Sequence, residues 1–104
     1  MSLPQLDPAQ RRDALAKAQQ ARRVRAELKQ MVKAGEVTLL DVLDRARDAE
    51  PLAKMRVLEL LESLPNYGKA KARRLMEDLG IAESRRLRGL GERQREALLR
   101  AIAR

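Results

Sequence analysis

Large apolar residues are sparse at the start of the chain and then fall into helical spacing. Asp7 is a good N-cap and Pro8 suits the first helical position, so a helix is expected from Pro8 to about Ala34, with Gly35 as its stop. Between Ala9 and Arg23 its only large apolar residue is Leu15; beyond that, Val24, Leu28, Met31 and Val32 form a stripe. The second half of this helix should therefore pack and the first half project. Before it, Ser2-Leu3-Pro4-Gln5-Leu6 offers two leucines that could pin the start of the chain to a core. Thr38 with Asp41 reads as a capping box opening a helix to about Asp48, with Leu39, Leu40, Val42 and Leu43 inward. Pro51 opens another, through Leu52, Met55, Val57, Leu58, Leu60, Leu61 and Leu64, the most apolar stretch and pure core. Methionines 55 and 76 read as gap-filling packers. Leu64-Pro65 closes that helix, and Asn66-Tyr67-Gly68 makes a turn whose special backbone angles Asn and Gly tolerate best. A short helix follows from Lys69 to about Leu79, burying Ala72, Leu75, Met76 and Leu79. Gly80 caps it and Ile81 packs back. Ser84 is placed to cap a turn bearing Arg85, Arg86, Leu87 and Arg88. Gly89-Leu90-Gly91 is the second break. Glu92 starts a last helix that buries Ala97, Leu98, Ala101 and Ile102 and shows Arg93, Arg95 and Arg100 to water. The pattern predicts an all-α protein, a single small domain of about five helices. Residues 1–34 form a basic helical arm and residues 35–104 a helical core whose two-turn segment occupies about 64–104.

Composition narrows the chemistry. With 104 residues, 44% of them hydrophobic, the chain can bury a modest core, and that core must be aliphatic because it holds one Tyr and no Phe or Trp. Absence of Cys and His leaves neither disulfide nor ordinary zinc ligands, and no cofactor is called for. No apolar run is long enough to span a membrane and no signal-peptide pattern opens the chain, so a soluble intracellular protein is expected. The formal charge is +8, unevenly spread. Residues 1–34 carry eight Lys/Arg against three acids, residues 35–64 four against seven, and residues 65–104 eleven against five. Two basic ends around an acidic middle favour a polyanion, nucleic acid foremost.

The cations cluster at the two glycine turns: Lys69, Lys71, Arg73 and Arg74 at the first, Arg85, Arg86 and Arg88 at the second. Helix starts beside such turns bare backbone N–H groups that bind anions. Leu-Pro-Asn-Tyr-Gly-Lys-Ala-Lys-Ala, from Leu64, resembles the helix-hairpin-helix pattern, with Asn66 where that pattern has its first Gly. It lacks the loop length and Ser/Thr of a Walker motif. The segment from Gly68-Lys69 through Gly80-Ile81 to Ser84-Arg-Arg-Leu-Arg-Gly-Leu-Gly91 is similar to the helix-two-turns-helix module of a small-subunit ribosomal protein and some DNA repair glycosylases. Together with the lead-in, the Ala/Arg-rich first helix and Lys54-Met55-Arg56-Val57-Leu58, the whole chain resembles the actinobacterial integration host factor family.

That resemblance implies a helical nucleoid-associated protein that binds double-stranded DNA with little sequence preference. It also implies changes in DNA curvature or topology, and help to phage site-specific recombination in recombinase assemblies. The residues it assigns to DNA are Gly68, Lys69, Lys71, Arg85, Arg86, Arg88, Gly89 and Gly91, with Tyr67 anchoring the loop. The family's basic N-terminal helix matches residues 8–34, where Arg22, Arg23 and Arg25 are the expected contacts. A cytoplasmic, nucleoid-bound protein, monomeric in solution, is the expectation. Catalysis is not, since no His, Cys or distinctive carboxylate pair is present. The rival reading is an RNA- or ribosome-binding protein using the same module, although Tyr67 alone could stack a base.

Arginine suits phosphate because its planar fork donates in pairs and stays charged. Arg85 and Arg88, three apart, are expected to share a face, while Arg86 reaches a neighbouring phosphate. Few Asn or Gln residues are available to pair base edges, so preference should come from DNA shape.

Overall fold

Helix α1, Pro8–Lys33, opens on a reciprocal cap. The Gln10 amide donates to the Asp7 carboxylate at 2.7 Å and the Asp7 amide to the Gln10 side-chain oxygen at 3.0 Å. The helix closes as expected: Gly35 takes a left-handed φ of 77°, its N–H meets the Val32 carbonyl, and that of Glu36 meets Met31. Leu28 and Val32 are buried, whereas Leu15 is 61% exposed, so the second half packs and the first half projects. The computed structural model describes residues 7–103, and the Ser2–Leu6 lead-in lies outside them.

Thr38 and Asp41 form the expected box at the head of α2, Leu39–Ala46. Thr38 Oγ1 accepts from the Asp41 amide at 3.2 Å, and the Asp41 carboxylate accepts from the Thr38 amide at 3.0 Å. These bonds hold the Asp41 carboxyl below its ordinary pKa. Leu39, Val42, Leu43 and Ala46 are buried at helical spacing; Leu40, expected inward, is exposed because it lies about 100° off that stripe.

The single helix expected from Pro51 to Leu64 is two helices, α3, Glu50–Ala53, and α4, Val57–Glu62. Between them Arg56 is extended and forms an isolated antiparallel bridge with Arg86. The Val57 amide donates to the Arg85 carbonyl, and the Leu87 amide to the Met55 carbonyl, both at 2.9 Å. These long-range bonds replace helical ones. The kink also lets apolar residues on more than one face bury together: Leu52, Met55, Val57, Leu60 and Leu61 are at most 4% exposed.

Helix α5, Lys69–Asp78, buries Ala72 and Met76 fully and Leu75 and Leu79 in part. It ends on Gly80, with φ 69°, whose N–H meets Glu77 while the Ile81 N–H meets Met76. At the turn before it, Asn66 alone takes the left-handed angle, φ 66°; Gly68 is extended. Ser84 caps nothing. Arg85 ends a turn from Ala82, Arg86 is extended, and a 3-10 helix covers only Leu87–Gly89. Helix α6, Glu92–Ile102, buries Leu98 completely. Arg95, expected in water, is half-buried and donates to Asp44 at 2.6 Å, fastening α6 to α2. Six α-helices therefore lie among the described residues, in an all-α fold.

Helix α3 is the hub, contacting α1, α2 and the 3-10 helix, while α4 packs on α5. A Lys29–Glu59 ion pair at 2.7 Å ties α1 to α4. The projecting arm makes the molecule elongated, 51 × 33 × 25 Å. Among the described residues no helix is long and apolar enough to cross a membrane.

Candidate nucleic-acid interface

The two turns differ in what their backbones offer. At the first, no side chain caps α5, and the amides of Gly68, Lys69, Ala70 and Lys71 have no acceptor among the described residues. Nothing lies within 4 Å of where a Gly68 Cβ would stand. Bare amides in open space beside Lys69 and Lys71 make the anion seat that the sequence suggests. Tyr67 is half-buried against the core, its amide bonded to the Leu64 carbonyl, and the Lys71 ammonium sits 4.5 Å from its ring centroid. The ring thus anchors the loop and orients a cation.

At the second turn the glycine amides are already engaged. The Gly89 amide donates to Arg86, that of Leu90 to Leu87, and that of Gly91 to the Gln94 side chain at 3.2 Å. Bare amides were expected at Gly89 and Gly91; the 3-10 turn takes the first and the Gln94 cap of α6 the second, while the amides of Glu92, Arg93 and Gln94 have no acceptor among the described residues. Arg85 is half-buried and donates to the Gly89 carbonyl at 3.0 Å, and a Cβ on Gly89 would come within 3.2 Å of Arg85 Cδ. Gly89 therefore leaves room for the arginine to lie across it. Arg86 donates to the Lys54 carbonyl, which turns its guanidinium back onto the α3–α4 junction. Arg88 is exposed and donates no hydrogen bond within the described residues.

The bridge adds a residue that no local pattern singles out. Hydrogen bonds on either side of Arg56 and Arg86 make them a non-bonded antiparallel pair, the closer kind, with Cα atoms about 4.5 Å apart. Two exposed arginines directly opposite each other repel. Neither has an acidic partner among the described residues. A polyanion laid across them relieves that repulsion.

Among the described residues the arm joins this side through one stripe of α1. Lys17, Ala18, Gln20, Ala21 and Arg25 of α1 face Glu50, Pro51 and Lys54 of α3 across an open cleft. Arg25 is thereby brought beside Lys54. Arg22 and Arg23 are exposed and point about 100° and 200° round the helix from Ala21, so the structure does not gather them with Arg25. Glu50 Oε1 pairs with Lys54 Nζ at 2.9 Å. Its carboxyl lies below the ordinary range, through the bond and charge of Lys54 first and then the charges of Arg88 and Lys17. Lys54 alone is bonded to this carboxylate, with Lys17 and Arg25 of the arm across the cleft. Arg56 went unremarked as a site residue in the sequence because its partner, Arg86, is thirty positions away, and Glu50 because the arm it faces lies far from it in the chain. Among the described residues no group of His, Cys, Asp or Glu is placed to hold a metal ion.

Comparison with known proteins finds relatives along most of the chain. Residues 32–102 match the family model of the S13-like H2TH domain. The integration host factors of Mycobacterium tuberculosis and Mycolicibacterium smegmatis are each 57% identical over 99 residues, spanning 95% of this chain and 94% of theirs. That of Streptomyces coelicolor is 49% identical over 100 residues, spanning 96% and 94%. A solved structure of sIHF bound to an 8bp palindromic DNA matches with a TM-score of 0.81 at 46% identity, covering 83% of this chain and 97% of that one.

Proposed function

The chain belongs to the integration host factor family, and from that premise we propose that it is an architectural DNA-binding protein of the nucleoid. It grips duplex DNA by its phosphates with little sequence preference, and bends or reorganises it. The observation that carries this reading is the Arg56–Arg86 pair, two facing arginines without acids, flanked by Arg85, Arg88 and Lys54. A surface that keeps like charges opposed is built for an external anion, and a duplex supplies a row of them. Phosphate contacts position a protein without reading bases, which fits the scarcity of Asn and Gln on this side. The open amides at Gly68–Lys71 supply a further phosphate seat. Service to phage or host recombinase assemblies follows from the same activity, since a reshaped duplex brings separated sites together.

The test is fluorescence anisotropy with a labelled duplex of mixed sequence, competed by unlabelled duplex DNA and duplex RNA. Wild-type protein should bind DNA at low salt and release it to DNA competitor far more readily than to RNA. Replacing Arg56 and Arg88 together by Ala should weaken binding on the order of ten-fold or more while the helical melting transition stays in place. Equal competition by duplex RNA would move the reading to a ribosomal or RNA partner.

A further inference from the structure

An acid in the middle of a phosphate-binding surface calls for an explanation. Glu50 lines the cleft between α1 and α3 with Lys17, Arg25 and Lys54, and its carboxylate is 2.9 Å from the Lys54 ammonium. Its side chain is 75% exposed, so it does not serve the core, and it belongs to a four-residue helix whose interior face is Leu52. The cations around it come from separate elements: Lys17 and Arg25 from the arm, across the cleft, and Lys54 from the residue that closes α3. Without Glu50, those positive groups face one another across the cleft with no compensating charge.

We propose that Glu50 is a positioning residue of the DNA interface: in the free protein its carboxylate stands in for a backbone phosphate. It pairs with Lys54 opposite Lys17 and Arg25 of the arm, filling one anion seat in the cleft, and the incoming duplex must displace it. This rests on the DNA-binding reading above and adds a direction to it. The carboxylate pre-arranges the cations, and it also competes for them, so it sets the affinity below what the basic groups alone would give. A phosphate brought to this seat meets Lys54 only after the Glu50 side chain swings toward solvent, which its exposure permits. The molecule thereby binds duplex reversibly instead of holding any polyanion it meets.

The experiment compares the parent protein with Glu50→Gln, measuring duplex affinity across a salt series together with thermal melting. Glu50→Gln is expected to bind duplex about three- to ten-fold more tightly at low salt. Its log–log salt slope should be steeper by about 0.9, one further phosphate neutralised. Its helical melting should match the parent. A role confined to structure moves the melt and leaves the salt slope alone. If the amide disturbs the helical turn, Glu50→Ala removes the same charge from a helix-favouring residue and gives the same readout. In a background already lacking the Lys54 charge, Lys54→Gln, the gain from Glu50→Gln should shrink by half or more. Unchanged affinity and slope overturn the proposal, as does weaker binding with an intact melt, which would mean that the carboxylate contacts DNA directly. Failure of the parent to bind duplex at low salt overturns the DNA-binding reading instead, so the two failures are distinguishable.

Discussion

Arg86 and Arg88 stand two residues apart and have different duties. Arg86 donates to the Lys54 carbonyl and sits in the bridge opposite Arg56, so its guanidinium is tied to the α3–α4 junction. Arg88 is exposed and makes no such bond. A charged hydrogen bond at a partly exposed site is worth about 1 kcal/mol. Arg86→Ala should therefore lower the melting temperature by several degrees, by about 4–8 °C per kcal/mol in a domain of this size. Arg88→Ala should leave the melt unchanged and weaken duplex binding several-fold. Circular dichroism melts beside anisotropy titrations separate the two. Replacing Arg85, Arg86 and Arg88 together confounds a structural brace with a phosphate contact, and the melt will not stay at the wild-type value. At this scale chain spacing was misleading: Arg85 and Arg88 look like one helical face, yet Arg85 precedes the 3-10 turn and lies over Gly89.

Among the elements, the contrast is between helices that cap themselves and helices that leave their starts open. Helix α2 is closed by Thr38 and Asp41, whereas α5 begins with four unpartnered amides at Gly68–Lys71. The first arrangement stabilises the helix; the second leaves donors for a ligand. Removing the α2 cap with Thr38→Ala should cost about 1 kcal/mol of stability. The Asp41 carboxyl has a folded pKa below its unfolded value, so its contribution is fully present above about pH 4 and is lost as pH falls through the folded value. The stability gap between wild type and Asp41→Asn should accordingly narrow on acidification below about pH 4, as read by urea melts at several pH values. A gap independent of pH would place the Asp41 contribution in packing instead.

For the whole molecule, charge and shape act together. Helix α1 is 26 residues long and rises about 39 Å, slightly more than one turn of duplex DNA at about 34 Å. Its first half packs on nothing of the core beyond the cleft at α3, and its second half is held by Leu28, Val32 and the Lys29–Glu59 pair. Deleting residues 1–20 should leave a cooperative helical transition and weaken DNA binding, because it takes Lys17 and the outer basic groups and leaves the buried stripe. Loss of the transition would mean that the arm is part of the core. If about 5–7 phosphates are neutralised overall, the log–log salt slope of the intact protein should lie near −5 to −6. A slope shallower than about −2 is incompatible with the interface described.

Periodicity, caps and composition determined the all-α class, the α1 and α5 boundaries to within a residue, the glycine stops at Gly35 and Gly80, and the aliphatic core. These follow from interactions three to five residues apart, which a linear chain displays directly. Tertiary structure alone decided the break at Arg56, the burial of Arg95 against Asp44, the 3-10 turn that takes the Gly89 amide, and the placing of Lys17 and Arg25 opposite Glu50. The first three depend on bonds between residues 28 to 51 positions apart, or on a turn geometry such a bond imposes, and the last on the packing of α1 against α3. Local spacing carries no trace of such pairings, because backbone groups look alike until the fold brings a partner to them.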